Sequence, residues 1–187
     1  MQLRRLAVTT AVALAAATSL AACGNGGEEP TAAATEGPYV NTGNLKYQVQ
    51  ISRYLNPSDV EDKSYLTGLP QSTAQPGGDE TWFGVFMRVQ NTTDEPQTPS
   101  NDFKIVDTQD NVYRPVPMDT KINPFAYKAD PIAGGSLLPE PDSAASENTI
   151  QGSLLLFKVK TDSLQNRPLE LRFTGSDGTE GVVDLDV

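Results

Sequence analysis

Apolar residues recur at every second position over much of the chain. In the clearest case, Leu45, Tyr47, Val49 and Ile51 alternate with polar residues. A period of two is typical of a strand with one buried face and one solvated face. Over residues 82–89, both sets of alternate positions are largely apolar, which predicts a central strand that is covered on both sides.

Further alternating segments follow, and turn-forming residues separate them. These strands are predicted over residues 103–105, 112–116, 149–160, 169–173 and 183–187. The turns include residues 108–111 and 175–178, which are rich in Asp, Asn, Ser and Gly. About seven or eight short strands with turns between them predict an all-β protein, folded as an immunoglobulin-like antiparallel β-sandwich.

Two insertions interrupt this pattern, at residues 56–80 and 118–148. The first is long for a connection between strands, and its residues 58–61, SDVE, fit a capping box that predicts a short helix. The second contains four prolines, which exclude a long helix. Pro124, within residues 123–127, is suited to the first position of one helical turn. We therefore expect only short helical turns, one in each insertion.

The N-terminal 22 residues have a different character. Arg4 and Arg5 precede an apolar stretch of Ala, Val and Leu that ends in small residues. This is the pattern of a secretory signal peptide, and the stretch is too short and too rich in Ala for a membrane-spanning helix. A twin-arginine export signal is a weaker alternative, because Leu3 stands where Ser or Thr is usual.

Residues 20–23, LAAC, resemble a bacterial lipobox. The resemblance implies cleavage between Ala22 and Cys23, with a diacylglycerol joined to the sulfur of Cys23, the only cysteine in the chain. The alternative is an ordinary cleaved signal with an incidental cysteine. The lipobox predicts a lipoprotein on the extracytoplasmic face of the cell membrane, where two or three acyl chains suffice for stable anchoring.

A tether is expected between the anchor and the folded domain. Residues 23–38 are rich in Gly, Ala, Thr, Glu and Pro and contain no large apolar residue. Such a segment cannot bury enough surface to offset the entropy lost on ordering. The predicted organisation is therefore a signal peptide over 1–22, a lipidated flexible tether over 23–38 and a β-sandwich domain over 39–187.

Composition excludes several classes of chemistry. The chain of 187 residues has no His, one Cys and a net charge of −10, which becomes −12 when residues 1–22 are removed. Catalysis that depends on His is therefore excluded, as are metal sites with His ligands and an intramolecular disulfide. An acidic surface also argues against nucleic acid as a partner.

Three segments resemble the telokin-like immunoglobulin-fold domains of bacterial lipoproteins. Residues 82–96, WFGVFMRVQNTTDEP, are similar to a strand followed by an N-x-x-x-x-P element in those domains. Residues 103–107 with Tyr113 resemble the next strand pair, and residues 152–159, GSLLLFKV, resemble a late core strand. Over residues 40–187 the resemblance implies an immunoglobulin-like sandwich without known catalytic residues, in a family mostly of unknown function. The absence of a cysteine pair excludes the disulfide-bonded antibody type.

Aromatic residues are the first candidates for a binding surface. Trp82, the only tryptophan, could form an exposed platform for sugars with Tyr65, Phe125 or Tyr127, or with Tyr54. The alternative is that Trp82 belongs to the core, where aromatic residues commonly lie.

Acidic residues near turns are the second candidates, as calcium ligands. They occur at Asp107, Asp110 and Asn111, at Asp177 and Glu180, and at Asp184 and Asp186. Calcium requires six to eight oxygen ligands, and none of these spacings matches a calcium-binding loop. We interpret them as solvated turn residues and predict no metal and no cofactor. A carboxylate pair for glycoside hydrolysis or a Ser–Lys dyad is formally possible, but no motif supports either, so we do not expect an enzyme.

The sequence thus favours a membrane-anchored interaction module. We expect an envelope protein as partner and the edges of the sandwich and the two insertions as contact surfaces, with membrane lipid bound through acylated Cys23. Deletion of residues 71–79 is expected to weaken partner binding without unfolding the domain. The alternative is an envelope module that binds a carbohydrate or a cation.

Overall fold

The computed structural model describes residues 30–187, which form two β-sheets. The strands are β1 (Ala32–Ala33), β2 (Tyr39–Thr42), β3 (Leu45–Leu55), β4 (Glu80–Asn91), β5 (Phe103–Val106), β6 (Val112–Tyr113), β7 (Leu137–Leu138), β8 (Ser153–Lys160), β9 (Leu169–Thr174) and β10 (Glu180–Leu185). The first sheet has the order β1-β10-β9-β5-β6, and the second has the order β2-β3-β4-β7, with β8 also paired to β4. β1 runs parallel to β10, and the other pairs are antiparallel. The predicted all-β antiparallel sandwich is confirmed.

The main core lies between the two sheets. The inward positions of β4 are Phe83, Val85, Met87 and Val89, and all four are fully buried. They belong to one cluster with residues of β3, β5, β8, β9 and β10. The alternation seen in the sequence therefore corresponds to the inward faces of the strands, whose burial supplies the main apolar contribution to stability.

A second, smaller core covers part of the outer face of the second sheet. Trp82 and Phe86 of β4 pack there with Leu154 and Leu156 of β8 and with Tyr65 of the first insertion. β4 is therefore buried on both faces along much of its length, as its apolar composition predicts. The two insertions supply the covering layer, so their apolar side chains belong to the fold.

The helices differ in part from the sequence prediction. In the first insertion, α1 (Val60–Tyr65) begins after Asp59, whose side chain caps the backbone N–H groups of Glu61 and Asp62. In the second insertion, the segment over residues 123–127 forms no helix but has one hydrogen-bonded turn, in which the N–H of Ala126 donates to the carbonyl of Asn123 at 3.3 Å. Ala126 then bridges to Leu154 of β8, which ends the turn. A single helical turn, α2 (Ala144–Glu147), forms farther along.

Residues 30–38 belong to the sandwich, although the sequence places them in the flexible tether. β1 pairs with β10, and the carboxylate of Glu36 accepts hydrogen bonds from the backbone N–H of Ser52 at 3.0 Å and of Asp186 at 3.0 Å. The hydroxyl of Ser52 donates to the same carboxylate. This segment therefore ties the two sheets together. The expected signal peptide, Cys23 and the first part of the tether lie outside the described residues.

Among residues 30–187, no helix has the length and apolar character needed to cross a membrane.

Candidate functional site

Trp82 and Tyr65, two of the aromatic candidates for a binding surface, lie in the second core. Trp82 is 1% exposed and Tyr65 is fully buried. The ring of Tyr65 packs edge-on against Phe86 and Phe125, each at a centroid distance of 5.0 Å, and the indole N–H of Trp82 donates to Oε1 of Gln75 at 3.4 Å. Neither Trp82 nor Tyr65 is therefore available as an exposed platform, and the alternative position of Trp82 in the core is the one observed.

The remaining aromatic candidates are separated from one another. Phe125 is half-buried against Tyr65, whereas Tyr127 belongs to the main core and packs edge-on against Phe103 at 5.1 Å. The hydroxyl of Tyr127 donates to the carbonyl of Ser100 at 2.9 Å, and burial raises the pKa of Tyr127 well above its usual value. Tyr54, near the end of β3, is exposed. The structure thus gives Phe125 and Tyr127 packing roles.

Two of the acidic candidates, Asp107 and Asp177, accept local hydrogen bonds. Asp107 is buried and accepts from the backbone N–H and the side-chain amide of Asn111, at 2.9 and 2.8 Å. Asp177 accepts from the backbone N–H and the hydroxyl of Thr179, both at 2.9 Å, which lowers its pKa. Burial and the charges of neighbouring carboxylates raise the pKa of Asp184. Over residues 30–187, no three acidic side chains converge in a way that could hold a metal ion.

The second insertion forms a groove that the sequence does not predict. The volume of the groove is about 480 Å³. The insertion is fixed on one side where the N–H of Tyr127 donates to the carbonyl of Leu154 at 2.9 Å. It is fixed on the other side where Ile132 exchanges two backbone hydrogen bonds with Gln97 and where β7 pairs with β4. The groove, which we call the insertion groove, lies between these attachments.

The walls of the insertion groove are rigid and mixed in chemistry. Four prolines line it, at positions 124, 131, 139 and 141. Ile132 and Ala145 are buried in its surface, and Leu137 and Leu138 are half-buried. Because proline fixes φ and cannot donate a backbone hydrogen bond, these walls have few alternative conformations. The four prolines were visible in the sequence, but the groove depends on contacts with β4 and β8 that local sequence does not reveal.

Charged side chains stand at the rim of the insertion groove. Nζ of Lys128 lies 2.7 Å from Oδ2 of Asp130, and both side chains are exposed. The hydrogen bond and charge of Asp130, with a smaller contribution from Glu140, raise the pKa of Lys128. Two carboxylates and one ammonium give the rim a net negative charge. The groove is therefore suited to an apolar segment that carries a positive charge.

Neither a family model nor a curated protein matches this sequence. Solved structures similar to the chain include the yjhA protein of Bacillus subtilis, with a TM-score of 0.47 and 13% identity over 82% of this chain and 99% of that one. The lipoprotein candidate ycdA of Bacillus subtilis has a TM-score of 0.50 and 14% identity over 85% of this chain but only 39% of ycdA. An uncharacterized β-sandwich protein of Clostridium difficile has a TM-score of 0.46 and 11% identity over 86% of this chain and 97% of that one. At these identities the likeness concerns the fold alone.

Proposed function

We propose that this protein is a lipid-anchored extracytoplasmic lipoprotein with a telokin-like domain that binds a segment of an envelope protein in the insertion groove. The role is one of binding and not of catalysis. The insertion groove is the observation that carries the proposal, because it combines a preformed concave shape, apolar walls and a charged rim.

The shape of the insertion groove supports a short peptide segment as its occupant. Its volume of about 480 Å³ lies within the range of about 300–1,000 Å³ that is common for binding pockets. Rigid walls reduce the entropy lost on binding, because few side chains and loops have to be ordered. Ile132, Leu137 and Leu138 offer apolar contact to a side chain of the partner.

The negative charge at the rim of the insertion groove supports the proposal that the partner binds through a basic segment. Asp130 and Glu140 at the rim agree in sign with the net charge of −10 of the whole chain. Complementary charge increases the rate of encounter and disfavours acidic competitors. We therefore expect an apolar segment flanked by Lys or Arg.

The lipobox-like sequence that ends at Cys23 supports the proposal of a lipid anchor. The description of ycdA as a lipoprotein candidate is consistent with this assignment. We expect Cys23→Ser to abolish incorporation of a labelled fatty acid and to release the protein from the membrane fraction. Growth with an inhibitor of lipoprotein signal peptidase provides the control, because the wild type should then accumulate in a larger, uncleaved form. Fatty-acid labelling of Cys23→Ser equal to that of the wild type would contradict the proposal.

Site-specific photo-crosslinking tests the insertion groove. A photoreactive residue at Ser136, which is exposed on the groove wall, should form a discrete crosslink to one envelope protein in intact cells. The matched control is Gln165, which is exposed on the 3₁₀ helix Thr161–Gln165 outside the groove.

A blocking variant makes the crosslinking test specific. Ala133 has an exposed side chain in the groove, and Ala133→Trp should fill part of it. We expect this change to reduce the Ser136 crosslink by at least about tenfold, equivalent to about 1.4 kcal/mol of binding free energy, and to leave the thermal midpoint unchanged. Identical crosslinks from Gln165, or a full crosslink in the Ala133→Trp background, would refute the groove as the binding site.

A further inference from the structure

The insertion groove and the point where the chain enters the sandwich lie at the same level of the second sheet. One row of paired residues crosses the sheet there, and it contains Asn41, Lys46, Gln90 and Leu137. Pro30 extends this row, because its carbonyl accepts from the N–H of Asn41 at 2.8 Å. Leu137, at the other end of the row, lines the groove. Four steps of about 4.8 Å between neighbouring strands place Pro30 and Leu137 about 19 Å apart.

This row lies close to one end of the sandwich. The turn at residues 43–44 joins β2 to β3 one residue pair beyond the row. The second insertion reaches the same end, since the N–H of Gly135 donates to the carbonyl of Thr93 at 3.0 Å, two residues after the end of β4. We call this end, formed by residues 30, 43–44, 92–93 and 135–136, the anchor end. The opposite end lies about 34 Å away, because ten residues of β4 separate Glu80 from Gln90.

The proposed lipid at Cys23 limits how far the groove can stand from the membrane. Pro30 follows Cys23 by seven residues, which span at most about 25 Å. This reach cannot increase while β1 stays paired with β10 and Glu36 stays bound to Ser52. With the distance across the sheet, the wall of the groove lies at most about 44 Å from the anchor in any orientation of the domain. A segment that enters the groove must therefore pass close to the membrane surface.

The chemistry of the insertion groove matches the part of a membrane protein that lies at this depth. Where a membrane-spanning helix leaves the bilayer, its apolar residues are followed by interfacial anchors such as Lys, Arg, Trp and Tyr. Apolar contact is available in the groove at Ile132, Leu137 and Leu138. The carboxylates of Asp130 and Glu140 give the rim its negative charge. An apolar side chain inside the groove with a Lys or Arg beside it would satisfy both features.

We propose that the occupant of the insertion groove is the juxtamembrane segment of an integral membrane protein, namely the residues directly outside the bilayer at the end of a membrane-spanning helix. The inference rests on the proposed function, since it takes lipid at Cys23 and a protein segment in the groove as given, and it names the class of partner. Confinement of both proteins to one membrane raises their effective concentration, so that a short segment suffices for stable association. The protein then acts as an accessory subunit beside a membrane protein.

The first measurement tests the position of the groove, with the full lipidated chain and without a partner. Cys23 is the only cysteine and its sulfur carries the lipid, so Ser136→Cys and Gln165→Cys each supply one free thiol for a fluorescent donor. Ser136 is exposed at the anchor end, whereas Gln165 is exposed on the 3₁₀ helix that follows β8 at the opposite end. The vesicles consist of phosphatidylethanolamine and phosphatidylglycerol with an acceptor-labelled lipid. We expect energy transfer to be at least about twofold more efficient from position 136, because about 34 Å of sheet separates the two levels. Equal or reversed efficiencies would overturn the inference.

The second measurement maps the photo-crosslink from Ser136 onto the partner in intact cells. We expect mass spectrometry to locate the attached residue within about ten residues of a membrane-spanning helix, a length of chain that extends at most about 35 Å. Ala133→Trp in the same chain should reduce this crosslink by at least about tenfold.

The outcomes separate this inference from the proposed function. An absent crosslink, or one that Ala133→Trp leaves unchanged, refutes the groove as a protein site and the juxtamembrane partner with it. A crosslink that Ala133→Trp removes, but that maps to a secreted protein or to a domain far from any membrane-spanning helix, leaves the groove as a protein site and overturns only the inference.

Discussion

Single buried polar side chains hold the loops of this domain. Asn91 is fully buried, and its amide nitrogen donates to the carbonyls of Glu95, Ile132 and Ala133 at 2.8, 2.9 and 3.2 Å. In the turn after β5, the carboxylate of Asp107 accepts hydrogen bonds from the backbone N–H groups of Gln109 and Asn111. These side chains bind backbone groups of the loops and turns around them, so each has an effect on stability larger than its size suggests.

Asp107 makes stability depend on pH. Burial by itself would raise its pKa, but hydrogen bonds from Asn111 and Asn166 outweigh burial and hold the pKa well below its usual range. A lowered pKa in the folded state means that this stabilisation is present above the unfolded pKa of about 3.9 and is lost as the pH falls toward the folded value.

We expect Asp107→Asn to lower the free energy of unfolding at pH 7 by about 2 kcal/mol. The further loss of stability between about pH 5 and pH 2.5 should be shallower in the variant than in the wild type. Urea denaturation at a series of pH values measures both effects. Asp110→Asn is the control, because Asp110 is exposed and Asn tolerates its positive φ of 62°. Parallel pH profiles for the wild type and Asp107→Asn would contradict this account.

At the scale of elements, the insertions act together as a cover for β4 and β8. Asn123 joins them, since its amide nitrogen donates to the carbonyls of Tyr65 and Thr67 at 2.9 and 3.0 Å. Its oxygen accepts from the N–H of Phe125 at 2.9 Å. Because Asn123 holds the backbone of Tyr65 and Phe125 in place, these two rings stay packed in the second core and help to exclude water from Trp82.

We expect Trp82 fluorescence in the wild type to be blue-shifted and protected from acrylamide, because the side chain is 1% exposed. Asn123→Ala should lower the free energy of unfolding by about 2–3 kcal/mol, since it leaves buried backbone groups without partners. It should also increase the quenching of Trp82. Asn101→Ala, at an exposed position, is the control. Unchanged stability and quenching in Asn123→Ala would show that the insertions are held in another way.

At the scale of the whole molecule, residues 30–38 connect the two sheets and shorten the expected tether. Pro30 follows Cys23 by seven residues, which span at most about 25 Å when fully extended. If Cys23 carries lipid as proposed, the domain lies close to the membrane. The turn between β2 and β3 is near this entry point, because Asn41 of β2 hydrogen-bonds to Pro30.

A domain that spans residues 30–187 should therefore be more stable than one that spans residues 39–187. We expect a difference of at least about 2 kcal/mol, because the shorter chain loses β1 and leaves the partners of Glu36 unsatisfied. Chemical denaturation of both proteins gives the value. Glu36→Ala in the longer protein should reproduce part of the loss, and Glu95→Ala, at an exposed position, should not. Equal midpoints for the two domains would place the start of the folded unit at residue 39.

The sequence by itself determined the features that are encoded over a few neighbouring residues. Alternation of apolar and polar positions identified the sandwich, and the doubly apolar strand at 82–89 identified the centre of a sheet. The capping-box pattern over residues 58–61 placed the helix start within one residue of its cap, Asp59. Such patterns are readable because strand and helix periods are local properties of the chain.

Only the tertiary structure decided which surfaces are covered and which are open. Trp82 and Tyr65 are buried because two insertions close over one half of a sheet face, whereas Asn41 and Arg88 lie on the other half. Glu36 orders the N-terminal segment by reaching Asp186, which is 150 residues away. The insertion groove depends in the same way on contacts between distant segments. The physical reason is that burial and pairing across the fold depend on the positions of residues far apart in the chain, which no local pattern specifies.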